Sequence, residues 1–283
     1  MTVGIVVDST CDLAPEQLAS MGVEMVPLKV LFGDETSLDW IGLRPEEFYR
    51  KLAASSVLPK TSQPSPAEFA ETYQRLAESG CDSIVSIHLT AALSGTHQSA
   101  LLAAKEASVP VHVIDTKRVS QAFGLIVSAA VEARDAGHDG ETVAAMTSEV
   151  AAKTKLFFVL DTLDYLVKGG RAGKAQGLAA SLLNIKPVLE MNSDGIIEPF
   201  KKVKGRAKAI SELAAHVAED AATHGPLRVA LLHACDPDGV AELRAALEKT
   251  GAELDIVATG LVGSVIGTYA GPKAVGVGYY PIR

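Results

Sequence analysis

Through the first half of the chain, short β-branched runs end in polar turns and give way to amphipathic stretches, several of them opened by proline. Val3–Val7 ends in Asp8-Ser9-Thr10, and Pro15 opens a helix that Gly22 closes. Ser65-Pro66-Ala67-Glu68 is a capping box with proline at the first helical position, which predicts a helix from Pro66 to Ser79. Ser83–His88 and Val111–Ile114 read as strands. Further helices are expected after Ser94-Gly95-Thr96, over Val119–Ala136 and over Asp139–Lys153. Strands alternating with helices in this way build an α/β layer with a parallel sheet. Between these elements, Val23–Val30 reads as one strand, Phe32–Ile41 as a hairpin or loop, Pro45 to about Ala53 as a helix, and Ser55–Pro64 as a loop.

The pattern changes near residues 150–156. The run Leu156–Leu160 is followed by a Gly/Lys-rich loop, Lys168–Gly177, and then by Pro187–Met191 and Ile196–Phe200 around the turn Asn192-Ser193-Asp194-Gly195. That hairpin, with helices over Gly205–Ala222 and Pro237–Lys249 and strands at Leu227–Leu232, Leu254–Ala258 and Ala274–Tyr280, predicts a mixed sheet. The chain therefore divides into an N-terminal α/β domain, 1–153, and a C-terminal α/β domain, 154–283.

Charge and composition exclude several functions. Lys plus Arg is 26 and Asp plus Glu is 34, a net charge of −8, which gives no global attraction to nucleic-acid phosphates. Aromatics are 5%, too few for base-stacking platforms. Three cysteines without a CxxC pair support neither a disulfide framework nor a zinc knuckle. The seven histidines show no HxxxH pairing, and His138 with Glu141 and His216 with Glu219 are isolated pairs, so no metal is expected. The start lacks a signal-type core, and the longest uncharged stretch, Ile256–Pro272, is broken by four glycines, so a cytoplasmic protein is expected.

Two hydroxyl-rich segments precede helices: Thr61-Ser62-Gln63-Pro64-Ser65 and Leu93-Ser94-Gly95-Thr96. Hydroxyls beside free helix-start amides suit a small anion such as a carboxylate, at the carboxyl end of a strand where α/β sheets bind ligands. The capping box accounts for Ser65; for Thr61 and Ser94, capping and ligand binding are both open. Ser94 as a nucleophile lacks the first glycine of GxSxG. Gly169-Gly170-Arg171-Ala172-Gly173-Lys174-Ala175 fails as a phosphate loop, with Lys168 where a glycine is required and Ala175 where a hydroxyl residue is required. Lys201–Lys208 carries five cations and no acid. It suits a phosphate-bearing partner, an anionic membrane surface, or simply solvent.

These pieces together resemble the DegV family. Asp8-Ser9 after the first strand, Thr61-Ser62-Gln63-Pro64-Ser65-Pro66, Leu93-Ser94-Gly95-Thr96 with Ser99-Ala100, Gly169-Gly170-Arg171, Leu183-Asn184-Ile185-Lys186-Pro187 and Ile266-Gly267-Thr268-Tyr269-Ala270-Gly271-Pro272 fall in the family's order across essentially the whole chain. The resemblance implies a two-domain α/β fold with a lipid tunnel between a parallel-sheet domain and a mixed-sheet domain. It implies a non-catalytic bacterial subunit that binds a long-chain fatty acid and presents its carboxylate to a separate ATP-dependent fatty acid kinase. The product is an acyl phosphate for phospholipid synthesis, and no cofactor is involved. The family's carboxylate-holding hydroxyls fall on Thr61 and Ser94; Ser9, Ser62, Gly95, Thr96, Thr268 and Tyr269 complete the expected head-group end. The family usually has histidine where this chain has Tyr269, and a phenol donates a hydrogen bond but carries no positive charge. Arg171, on the resemblance, and Lys168, Lys201, Lys202, Lys204 and Arg206, on charge, are expected to face the partner. The alternatives are a lipid or ester hydrolase using Ser94 and a lipid-sensing regulatory protein.

Overall fold

The computed structural model describes residues 2–181 and 185–282. Four parallel strands form the first sheet: β1 (Val3–Asp8), β2 (Val23–Val26), β6 (Ser83–His88) and β7 (Val111–Asp115), in the order β2-β1-β6-β7. Residues of β1 and β6 are buried on both faces, as a sheet covered by helices requires. The helices here are α1 (Pro15–Ser20), α2 (Pro45–Ala54), α3 (Pro66–Glu78) and α4 (Thr96–Ala104). The capping box forms as read: Ser65 Oγ accepts from Glu68 N at 3.3 Å, and a Glu68 carboxylate oxygen accepts from Ser65 N at 2.8 Å.

Two sequence expectations need correction. The run Val23–Val30 is two strands, because Pro27 cannot donate to a ladder: β2 stays in the first sheet, and β3 (Lys29–Phe32) turns away. There β3 pairs with β4 (Glu35–Leu38) and with β5 (Lys60–Ser62) in a three-stranded antiparallel sheet. The segment expected to be entirely loop thus contains a strand, which fixes Thr61 opposite Val30.

The second sheet is mixed and six-stranded, in the order β10-β9-β8-β13-β11-β12. Its strands are β8 (Lys155–Val159), β9 (Ile185–Met191), β10 (Ile197–Lys204), β11 (Leu227–His233), β12 (Leu254–Leu261) and β13 (Val275–Pro281), with only β11 and β12 parallel. Two long helices, α5 (Ser120–Asp135) and α6 (Gly140–Lys153), connect the sheets, and α5 lies against β1, β11 and β13. That approach needs Gly278, where a Cβ would sit 2.7 Å from Ala122 Cα. The remaining helices are α7 (Asp164–Lys168), α8 (Arg206–His224), α9 (Pro237–Lys249) and α10 (Ser264–Ala270). One apolar core runs from Val3 and Ile5 through Phe123 and Ile126 to Leu156 and Leu232, spanning both sheets. No helix among the described residues is long and apolar enough to cross a membrane.

Two buried carboxyl groups organise the strand ends. Asp8, at the carboxyl end of β1, accepts from Thr10 N (3.0 Å), Thr10 Oγ1 (2.6 Å), Leu89 N (2.9 Å) and His88 Nδ1 (3.1 Å). With Nδ1 donating, His88 Nε2 accepts from Ser86 Oγ at 2.7 Å, and Ser86 accepts from the Tyr73 hydroxyl at 2.7 Å. Every member of this chain is buried and partnered. Asp39, after β4, reaches across to the second half: its Oδ1 accepts from Ser264 N at 3.1 Å. Burial pushes its carboxyl up to about 7, and burial likewise drives the neighbouring Asp12 well above the usual carboxylate range.

Asp8→Ala strands three or more buried donors and should cost about 3–5 kcal/mol in urea unfolding, with Asp8→Asn costing less. A loss under about 1 kcal/mol would contradict this role. For Asp39 the sign is also fixed. Its folded-state value, about 7, lies above the unfolded one, so the folded state holds a proton that the unfolded state has released. Stability contributed by Asp39 is therefore full below about pH 4 and falls as pH rises to about 7, by at most ~1.4 kcal/mol per unit. Asp39→Asn should raise Tm relative to the natural protein more at pH 8 than at pH 4; an equal difference at both would contradict the assignment.

Candidate functional site

A cavity of about 570 Å³ lies between the two sheets. Its interior wall is mainly aliphatic: Leu28, Leu89, Leu156, Leu160, Leu232 and Val262 line it, all buried, with the buried Ser120 as a polar exception. Its other end is polar and reaches solvent through Ser62, Gln63, Ala91 and Ala92, which are exposed. Apolar walls with a few convergent polar groups at one end are the ordinary form of a small-molecule site.

Three elements bring the polar groups together. Strand β5 supplies Thr61, the loop after β6 supplies Ser94 and Gly95, and α10 supplies Tyr269. Thr61 Oγ1 and Tyr269 Oη, from opposite halves of the chain, are 2.6 Å apart. Ser94 Oγ lies 2.9 Å from Thr96 Oγ1 and accepts from Thr96 N at 3.3 Å. With Thr96 Oγ1 donating to Ser94, the Ser94 O–H remains to donate, and in the Thr61–Tyr269 pair one O–H is used within the pair and the other remains, so the two pairs offer two protons to an anion. The Arg171 guanidinium sits 5.0 Å from the centre of the Tyr269 ring, and its Nη1 donates to Gly169 O at 2.9 Å. It brings a positive charge to the cavity wall, and among the described residues its other N–H groups find no hydrogen-bond partner. Gly95 has a local reason: a Cβ there would overlap the Gln63 side chain, whose Nε2 donates to Ser99 Oγ at 3.1 Å.

Of the residues expected at the head-group end, Thr61, Ser62, Ser94, Gly95 and Tyr269 line the cavity. Thr96 is buried behind Ser94. Ser9 and Thr268 do not line it: Ser9 Oγ accepts from Leu28 N at 3.1 Å, and Thr268 Oγ1 donates to Ser264 O at 2.9 Å. Both therefore shape the backbone around the cavity. Arg171, expected on a partner surface, is part of the cavity wall. The other basic residues are at the surface. Lys201 and Lys208 pair with Glu212, and Arg206 pairs with Asp236, while Lys168, Lys202 and Lys204 have no acidic partner among the described residues. Leu183 and Asn184 lie outside the described residues. The motif reading names Gln63 only as part of the Thr61–Pro66 segment and gives it no role, and it does not single out the buried Asp12 and Asp39.

The geometry speaks against an acylating Ser94. His88 is fully engaged by Asp8 and Ser86, and no imidazole among the described residues hydrogen-bonds Ser94.

A family model described as "Uncharacterised protein, DegV family" matches residues 2–282. A DegV domain-containing protein of Streptomyces coelicolor is 40% identical over 275 residues, 97% of each chain. A protein of Thermotoga maritima named a fatty acid-binding protein is 36% identical over 283 residues, 98% of this chain and 97% of its own. A solved structure of a DegV family protein from Thermus thermophilus, described by its fatty acid binding, superposes with a TM-score of 0.94 at 34% identity over all of both chains. With its parallel first sheet, its mixed second sheet and a match from one end to the other, the chain belongs to the DegV family.

Proposed function

We propose that the protein binds one long-chain fatty acid in this cavity and presents its carboxylate to a separate kinase subunit, which forms an acyl phosphate. The observation that carries the reading is the cavity's polarity: buried aliphatic walls inside, and at the open end two hydroxyl pairs and a guanidinium. The fatty acid binding of relatives that share the whole fold supports the same ligand class.

The division of labour follows from magnitudes. Each buried methylene contributes about 0.8 kcal/mol, so roughly fourteen give a gross ~11 kcal/mol, from which ordering costs are subtracted. Each hydrogen bond to a carboxylate adds about 1.5–3 kcal/mol. The chain supplies affinity; Thr61, Ser94 and Tyr269 fix orientation. Ser62 and Gly95 shape the opening, and Thr96, Ser9 and Thr268 hold the surrounding backbone. The carboxylate sits near the exposed rim, where an outside enzyme reaches it. The protein is on this reading a carrier, with residues 1–153 and 154–283 as the two walls and no cofactor of its own. Exposed Lys168, Lys202 and Lys204, with Lys201 and Arg206, offer positive charge to a kinase or, transiently, to an anionic membrane surface.

Native mass spectrometry of protein purified from a bacterial host, followed by extraction, should find a fatty acid at near one per chain. Protein that is empty and refuses added fatty acids would overturn the reading. The double variant Thr61→Ala, Ser94→Ala should reduce acyl-phosphate formation with the kinase more than it reduces lipid retention; equal loss of both would contradict the division of labour.

A further inference from the structure

We propose that Asp39 is a positioning residue for the head-group end: it anchors the first turn of α10 from the opposite half of the chain and so sets where Tyr269 stands. The proposal rests on the fatty-acid reading for its binding test and on geometry for the rest.

Helix α10 spans seven residues, too short to hold itself in water. Its N-cap is Gly263, which has no side chain to accept from the first free amides. Asp39 supplies that acceptor across 225 residues, through Ser264 N at 3.1 Å. Two further bonds seat the same turn on the first half: Ser264 Oγ donates to Leu43 O at 3.2 Å, and Tyr49 Oη donates to Val262 O at 3.1 Å. Gly267 lies against Phe48 and Tyr49 so closely that a Cβ would sit 2.7 Å from the Tyr49 hydroxyl oxygen. Ser264 and Tyr269 are separated by about 7.5 Å of helix rise, and Tyr269 Oη must remain within hydrogen-bond reach of Thr61, now 2.6 Å away. A small tilt at the anchored end breaks that contact.

The site also carries the cost expected of a positioning device. Asp39 is fully buried; its Oδ2, both Asp12 carboxyl oxygens, Trp40 Nε1 and Ser120 Oγ are buried without a well-formed hydrogen bond among the described residues, although Asp12 faces Ser120, Trp40 and the Gly263 amide. Asp12, Trp40 and Ser120 adopt left-handed backbone, with φ of 54°, 64° and 55°. Unsatisfied polar atoms and strained backbone gathered at one junction oppose stability and persist where the geometry is needed. The acid facing Asp39 here is Asp12, with Ser9 on one side and Cys11 and Tyr49 adjacent.

The test measures affinity for oleic acid and for methyl oleate, which keeps the chain and lacks the carboxylate. The natural protein should prefer the acid by tenfold or more, the equivalent of about 1.4 kcal/mol. Asp39→Ala should bring the preference within about threefold while methyl oleate affinity moves less than about threefold; Asp39→Asn, which still accepts from Ser264 N, should keep the preference. If Asp39→Ala does not fold, Ser264→Pro removes the same hydrogen bond from the donor side, together with the Ser264 Oγ bond to Leu43 that seats the same turn, at a first helical position that tolerates proline. Equal loss for acid and ester, or a preference left intact by these variants, would overturn the proposal. If the natural protein binds neither lipid, the fatty-acid reading fails, and amide hydrogen exchange over residues 265–270 decides the anchor. Exchange about tenfold faster in Asp39→Ala than in Asp39→Asn, with β13 unchanged, supports it; equal exchange overturns it.

Discussion

The carboxylate of Asp8 is the interaction on which the rest of the structure depends. It has no access to water, and it is stable there because four donors converge on it from β1's own turn and from the end of β6. A buried carboxyl group so fully hydrogen-bonded fixes the relative height of two neighbouring strand ends, and those ends launch the loops that carry Ser9, Leu89 and, a few residues on, Ser94. The cavity's polar rim is positioned from this point. The His88 imidazole, the group nearest to a catalytic base in appearance, is consumed in holding the network.

The second constraint is that two sheets must enclose an open space without collapsing on it. Packing favours closure, so polar tethers set the separation. Asp39 to Ser264 and Tyr49 to Val262 hold one side. Arg118, whose Nε donates to Thr154 O at 2.5 Å and whose Nη1 donates to Asn192 O at 3.0 Å, holds another. Thr61 with Tyr269 closes the rim. Each tether joins residues far apart in the chain, so the cavity belongs to neither half alone.

Much of the architecture is legible in the sequence because its signals are local. The capping box at Ser65–Glu68, the proline-opened helices and the hairpin around Asn192–Gly195 are each encoded within a few residues, and each forms. What sequence reading missed is decided at long range. Strand β5 exists only because β3 offers it an edge, and β3 separates from β2 only because Pro27 interrupts the ladder. The hydroxyl segments are visible as motifs, and Thr61 and Ser94 reach the cavity, whereas Ser9 and Thr268 turn their hydroxyls to backbone. Arg171 is expected on the partner surface from the family resemblance; the fold places it in the cavity wall, over the Tyr269 ring. Isolated acids such as Asp12 and Asp39 carry no pattern at all, and their burial follows from the meeting of segments more than 200 residues apart.

The account's central claim is one of orientation: acyl chain inside, carboxylate at the rim between the two hydroxyl pairs. A crystal structure of the protein with a bound long-chain fatty acid tests it most directly. The account predicts carboxylate oxygens within hydrogen-bond distance of Thr61 or Tyr269 and of Ser94, with the tail against Leu232 and Val262. A fatty acid bound in the reverse sense, or bound elsewhere with this cavity empty, would contradict it.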